Sequence, residues 1–273
     1  MANKHDIIWL DTVDSTNSEA HRRIATIDNL SVLSAVHQTA GRGQRGNSWN
    51  TAPGDNLTFS IVLKFDQQYA TKIQAYDQFS ISQMNALAIL DFLSSHDIEA
   101  KIKWPNDIYV GNNKISGTLI ENSLCREWLS WSIIGNGINV NQTTFPDTLL
   151  NPTSMSLITG EKYDTKILLE EFMDIFDSYR SRYLNVNGGL GRLRKLYLAQ
   201  MWRLNEESEF VDLTVCPGGS LDSPLKPVKE ANELPGRPFR GMAKGISDTG
   251  ALIVEDTNGE TKEFGFKQIA WVL

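Results

Sequence analysis

What most limits the fold of this chain is the run after its glycine-rich loop. Gly41-Arg42-Gly43-Gln44-Arg45-Gly46 carries the G-x-G-x-x-G spacing of a dinucleotide-binding turn, and Ser31–Gln38 before it reads as a short strand. That fold needs a helix directly after the glycines. Here Asn47-Ser48-Trp49-Asn50-Thr51-Ala52-Pro53-Gly54-Asp55 follows, a string of turn formers and breakers that cannot open a helix. The glycines therefore begin a long loop, and a doubly wound dehydrogenase fold is excluded. The chemistry of the loop stands: glycines let backbone N–H groups approach an anion, arginines offer forked donors, and the Trp49 indole supplies a stacking face.

Flanking segments point to an α+β architecture. Ile7–Val13 reads as a strand and Ser18–Ile27 as a helix, while Asn56–Phe65 alternates with the period of a half-buried strand. Residues 78–95 carry an apolar stripe at helical spacing. Strands follow at 99–103, 114–121 and 128–140, joined by Asn- or Gly-rich turns such as Gly111-Asn112-Asn113. This density of strand-turn-strand units predicts a mixed or antiparallel sheet with flanking helices. Helices return at 165–183 and 190–202. From Phe210 the chain becomes short strands, with Asn258-Gly259 marking a hairpin. Two domains are expected, residues 1–206 and a small β-barrel at 207–273, with 217–238 holding a long mobile loop.

Bulk properties exclude several classes. A formal charge of −7 disfavours non-specific grip on DNA or anionic membrane. No run approaches a membrane span, and the N-terminus lacks a signal-peptide plan. Two cysteines, Cys125 and Cys216, give neither a disulfide framework nor a metal spacing, so a cytoplasmic protein with reduced thiols is expected. His5, His21, His37 and His96 are scattered, the acidic residues form no metal motif, and no resident metal site is expected.

Four further clusters carry polar groups. Asp14-Ser15-Thr16-Asn17 either caps a helix or binds a polar ligand head. In Lys103-Trp104-Pro105-Asn106-Asp107, Asp107 is either a turn residue or a carboxylate facing one cavity with Lys103. Lys114 precedes a strand whose Gly117 leaves room against the backbone. Gly135 and Gly137, spaced by two, bare one strand face, which suits a ligand floor better than packing.

In this order and spacing, Ser15-Thr16-Asn17, Gln38, the loop through Trp49, Lys103–Asp107, Lys114 with Gly117, the Gly135-x-Gly137-Ile138-Asn139 strand and the Lys244–Val254 strands resemble the biotin protein ligase family. The resemblance implies a mixed sheet with flanking helices, like class II aminoacyl-tRNA synthetases, plus a small β-barrel. It implies ATP-dependent formation of biotinyl-5'-AMP, then transfer of biotin to a lysine of a biotin carboxyl carrier protein domain. Biotin is the substrate, ATP with Mg²⁺ the co-substrate.

Carried over residue by residue, Lys114, Asp107, Lys103 and Arg45 are the catalytic candidates, with Asp107 positioning or deprotonating the acceptor lysine. Ser15, Thr16, Asn17, Gln38, Gly41, Arg42, Gly43, Gln44, Lys114, Gly117, Gly135 and Gly137 would hold biotin. Arg42, Arg45, Trp49, Lys103, Asn106 and Asn139 would hold the nucleotide. Gln44 departs from an arginine common in the family and removes a positive charge beside the adenylate. Compensation by Arg45 or Lys114 is the expectation. Some relatives carry an N-terminal DNA-binding domain; the ligand element here begins by residue 15, so a ligase without a DNA role is expected. Whether the chain forms a homodimer stays open. The competing readings are a lipoate ligase or octanoyl transferase on the related fold, and a non-catalytic biotin sensor.

Overall fold

Leu57–Lys64 (β3) is buried along nearly its whole length, the behaviour of a central strand. The computed structural model describes residues 5–49, 51–65, 72–184, 186–216 and 228–273, with the side chain of Arg45 outside that set. β3 lies in a seven-stranded sheet with Ile7–Val13 (β1), Val32–Gln38 (β2), Lys101–Lys103 (β4), Asp107–Val110 (β5), Asn113–Cys125 (β6) and Trp128–Ile138 (β7). The order is β1-β2-β3-β7-β6-β5-β4. Only β1 and β2 run parallel, because the helix Thr16–Arg23 (α1) returns the chain between them; the other neighbours are antiparallel. The expected mixed sheet is observed.

One face is covered by the helix Phe79–Ser94 (α2), buried on almost every side, with Thr165–Tyr183 (α4) and Gly189–Ala199 (α5) packed against it. A short helix, Met155–Thr159 (α3), precedes α4 and is capped by the Ser154 hydroxyl. Phe172 of α4 meets Phe59 at 5.2 Å and Phe92 at 5.8 Å, edge to face, locking α2 and α4 onto β3. On the opposite face α1 covers Leu33, Val62 and Ile133.

Glu207–Asp212 (β8), Arg237–Ile246 (β9), Leu252–Asp256 (β10), Thr261–Phe264 (β11) and Ile269–Trp271 (β12) make a second antiparallel sheet, β11-β10-β9-β8-β12. Its terminal strands do not pair with each other, so the expected barrel is an open, barrel-like sheet. The Asn258-Gly259 hairpin joins β10 and β11 as expected, with Gly259 in the left-handed region. The hydrophobic core runs without a break from α2 and α5 into Phe210, Ile246, Phe264 and Trp271 of this sheet.

Boundaries shift in places. α1 begins at Thr16 and ends at Arg23, whose carbonyl accepts the N–H groups of Thr26 and Ile27 in a closing turn. Asp107–Val110, where no strand was expected and Asp107 was read as a turn residue, is a strand paired with β4 and β6. Of the long loop expected at 217–238, residues 217–227 lie outside the described set; Ala231–Glu233 is a 3₁₀ turn closed by a Glu230/Glu233 capping box. Among the described residues no helix is long and apolar enough to cross a membrane.

Candidate active site

A cavity of about 1040 Å³ opens over β6 and β7, walled by the glycine loop, residues 145–152 and the second sheet. That is ample for a ligand of drug size or a nucleotide. Its floor exists because two glycines face each other: Gly117 of β6 is in register with Gly137 of β7. Trp49 lies on this bare patch. A Cβ at Gly137 would fall inside the indole, and one at Gly117 would lie 3.2 Å from its Cζ3 and 3.1 Å from Lys114 Nζ. The glycine loop closes as a small hairpin, with Trp49 N donating to Gly41 O at 2.9 Å and Gly43 N to Asn47 O at 2.7 Å, around a 3₁₀ turn at Gln44–Gly46.

Gly135, expected as ligand floor, lines the cavity and also makes room for a side chain of the protein itself. A Cβ there would collide with the Asn17 amide. Asn17 Nδ2 donates to Leu119 O at 3.2 Å and Glu121 Oε2 at 2.9 Å, and its Oδ1 accepts from Ser60 Oγ at 2.6 Å. The Ser60 hydroxyl also lies 2.7 Å from that of Thr16. Gly135→Ala is expected to cost about 1–3 kcal/mol of stability by unseating this amide; urea unfolding measures it, and an unchanged midpoint would show that Asn17 moves freely.

No side chain of the Asp14–Asn17 cluster forms the N-terminal cap of α1. Gln38 Oε1 does so from β2, accepting Thr16 N at 2.8 Å and the Thr16 hydroxyl at 3.2 Å. The Arg22 guanidinium, with Ser15 N, holds the Asp14 carboxyl well below the usual carboxylate range. Arg42 of the loop turns to Glu121, Nη2 donating to Oε2 at 2.9 Å. Glu121 and Ser60 were missed in the sequence, since an acid or a serine on a strand has no local signature.

Lys103 and Asp107 are cross-strand partners around a three-residue turn with a cis Trp104–Pro105 peptide bond. Trp104 anchors the turn to the second sheet, Nε1 donating to Gly250 O at 2.9 Å and its ring 5.3 Å from Phe266. Asn106 Nδ2 donates to Thr118 O at 2.7 Å, tying the turn to β6. Asp107 Oδ1 lies 2.6 Å from Lys114 Nζ, itself 5.6 Å from the Trp49 ring centroid. Both partners of this pair are partly exposed to the cavity. The backbone of Lys114 is gripped by residues 151–153, and Asn139 Nδ2 donates to Thr153 O, so Asn139 fastens this wall. Beneath the floor, Asn85 of α2 and Asn136 of β7 exchange amide hydrogen bonds at 2.8 and 3.1 Å, holding β7 in place.

Lys103 Nζ donates to Tyr109 Oη at 3.4 Å and sits 4.9 Å from the Tyr109 ring and 5.8 Å from Trp202. Desolvation pushes its ammonium down to about 8, with Lys114 and Arg203 acting in the same direction and Asp107 opposing. Lys103 is charged at pH 7 and loses the charge as pH rises through about 8. An unfolded lysine, near 10.4, still holds its proton there, so stability rises with pH between those values. If Lys103 binds phosphates, kcat/KM for ATP falls above about pH 8 and Lys103→Arg flattens the fall; identical profiles would remove Lys103 from that role.

The Trp49 and Trp271 indole N–H groups line the cavity and are buried without a hydrogen-bond partner among the described residues. Buried unpaired donors are costly, and acceptors on a ligand would satisfy them. Among the described residues no three His, Cys, Asp or Glu side chains cluster to hold a metal.

The fold has known counterparts. The model of the biotin/lipoate A/B protein ligase family matches residues 9–139, and that of the biotin protein ligase C terminal domain matches residues 231–266. The bifunctional ligase/repressor BirA of Bacillus subtilis is 29% identical over 261 residues, covering 94% of this chain and 71% of that one. The biotin–[acetyl-CoA-carboxylase] ligase of Paracoccus denitrificans is 28% identical over 257 residues, covering 90% and 92%. A biotin protein ligase from Aquifex aeolicus, solved with biotin and ATP, shares the fold with a TM-score of 0.71 at 24% identity, covering 98% of each chain. The sheet and its cavity thus define an acyl-ligase domain of the biotin/lipoate type. With both domains matched, the chain belongs to the biotin protein ligase family.

Proposed function

We propose that this chain activates biotin with ATP and transfers it, through biotinyl-5'-AMP, to a lysine of a biotin carboxyl carrier protein domain. The observation that carries the reading is the Lys114–Asp107 pair, held beside the Trp49-covered glycine patch at one end of the cavity. In the first step a biotin carboxylate oxygen attacks the α-phosphorus of ATP, and the bond to the bridging oxygen breaks to release pyrophosphate. An anion approaches a polyanion, so cations must offset the repulsion. Lys114 and Lys103 supply them here; Arg45 belongs to the same proposal, its side chain outside the described residues. Mg²⁺ would be carried by the phosphates. In the second step the acceptor amine attacks the acyl carbon and AMP leaves.

Ser15, Thr16 and Gln38, with Gly41–Gln44, border the region proposed for the biotin head, and Trp49 is proposed beside the adenine. The catalytic unit is residues 1–206 and the second unit 207–273. A carrier domain, rather than DNA, is the proposed macromolecular partner, in keeping with the charge of −7, and the cytoplasm is the proposed compartment. Incubation with labelled biotin, ATP, Mg²⁺ and a carrier domain tests the reading by covalent label on the carrier. Failure of label to appear, or its displacement by lipoate at equal concentration, would reject it.

With Gln44 in place of the family's arginine, compensation by Arg45 or Lys114 implies that adenylate is retained. Gln44→Arg should then change the release of free biotinyl-adenylate by less than about threefold, the worth of an exposed charge contact. A larger slowing would show that the loop leaks for want of that charge.

A further inference from the structure

Glu121 has no part in the reaction outlined above, yet its side chain ties the glycine hairpin to the sheet through Arg42. It stands on β6, on the same face as Gly117 and Leu119, because side chains alternate along a strand. Glu121 lies four positions beyond Gly117, about 13 Å along the strand. The hairpin Gly41–Trp49 therefore meets this face at two points. Its Trp49 base rests on Gly117 and Gly137, and its Arg42 base reaches Glu121. Between them lie Leu119 and Gly135, in register, and the Asn17 amide that fills the space above Gly135.

The same oxygen of Glu121 accepts from both Arg42 Nη2 and Asn17 Nδ2, each at 2.9 Å. One carboxylate thereby joins the loop, the sheet and the first turn of α1. Arg42 and Glu121 keep 45% and 31% of their side-chain surface exposed. Such a pair adds little to global stability, so its effect falls on where the hairpin sits.

We propose that Glu121 is a positioning residue for the biotin end of the site, a clasp that holds the glycine hairpin down through Arg42 and sets the Asn17 amide beneath it; this rests on the ligase reading. The clasp fixes the hairpin at the end remote from Lys114, which leaves the reacting atoms untouched. Breaking it loosens retention of the acyl end and leaves the chemical step intact.

Glu121→Gln keeps an acceptor for Asn17 and removes the charge facing Arg42. The expected result is a rise of about tenfold in KM for biotin and in the release rate of biotinyl-adenylate, the scale of one charge-assisted hydrogen bond. Single-turnover adenylation at saturating biotin stays within about twofold, and the melting temperature is unchanged. Arg42→Gln, on the exposed loop where folding is not at stake, gives the same rises, and the double variant adds nothing further. Unchanged KM and adenylate release in Glu121→Gln, or full additivity in the double variant, overturns the clasp. Wild-type chain that forms no adenylate from biotin and ATP rejects the ligase reading, and the clasp with it.

Discussion

Lys114→Met is expected to lower the rate of biotinyl-adenylate formation by about 10²–10³, the cost of deleting one preorganised charge at a developing anion. Lys114 stands between Asp107 at 2.6 Å and the Trp49 ring at 5.6 Å, on the strand that carries Gly117. Its ammonium is thus fixed by an ion pair and an aromatic face before any substrate arrives. Methionine keeps the stem's volume and loses the charge. It also strands the Asp107 carboxylate, which then repels the phosphates it had been shielded from. The double variant Lys114→Met/Asp107→Asn removes that second penalty, and should adenylate faster than Lys114→Met alone. Pyrophosphate release under single-turnover conditions measures both. Adenylation by Lys114→Met within tenfold of wild type would transfer the role to another cation, with Lys103, which also lines the cavity, the next candidate. Lys114→Arg is expected to rescue poorly, since a planar fork does not reproduce the ammonium's place between a carboxylate and an indole.

Much of the sheet was legible because its signals are local. Alternation marked β3, apolar residues three and four apart marked α2 and α4, and Asn258-Gly259 marked the last hairpin. Asp107–Val110 escaped because Pro105-Asn106-Asp107 reads as turn, and a four-residue strand is too short to show alternation against it. The open second sheet could not be anticipated either, since closure depends on pairing between β11 and β12 and not on any one strand.

The site divided along the same line. Paired glycines show that volume is missing; they do not show what takes the space. Gly135 serves Asn17, 118 residues earlier in the chain, and Gly137 serves Trp49. Both were read as floor for a ligand; both line the cavity, and each also makes room for one of the protein's own side chains. Gln38 was read as a ligand group, and in the fold it also caps α1. Asn106 and Asn139, read as nucleotide contacts, use their amide donors to fasten the turn and the wall that position Asp107 and Lys114. Such double duty follows from the rule that buried polar groups take partners, but the partners lie far away in sequence.

Asp107→Asn should separate the two chemical steps. The acceptor lysine of a carrier, with a reference pKa of about 10.4, is neutral in only about one molecule in a few thousand at pH 7. A carboxylate beside the acyl carbon can align the incoming ammonium and take its proton, freeing the lone pair that then forms the N–C bond as AMP leaves. Asp107 is placed for this by its pairing opposite Gly117 and Lys103, and its 2.6 Å contact with Lys114 keeps it from swinging into solvent. Asparagine preserves the shape and removes the base. Adenylation should fall by less than about tenfold, because Lys114 keeps its charge and loses only its anchor, whereas transfer from preformed adenylate should fall by about 10² or more. The pH profile carries the sharper test. Without the carboxylate, transfer depends on lysine already neutral in solution, so its rate in the variant should climb about tenfold per pH unit toward the lysine pKa. Wild type, drawing on the carboxylate, should climb less steeply. Starting from preformed adenylate matters, since discharge of Lys103 above about pH 8 would otherwise depress the first step in the same range. Equal transfer rates and parallel pH profiles for variant and wild type would remove Asp107 from proton transfer and leave it as the anchor of Lys114.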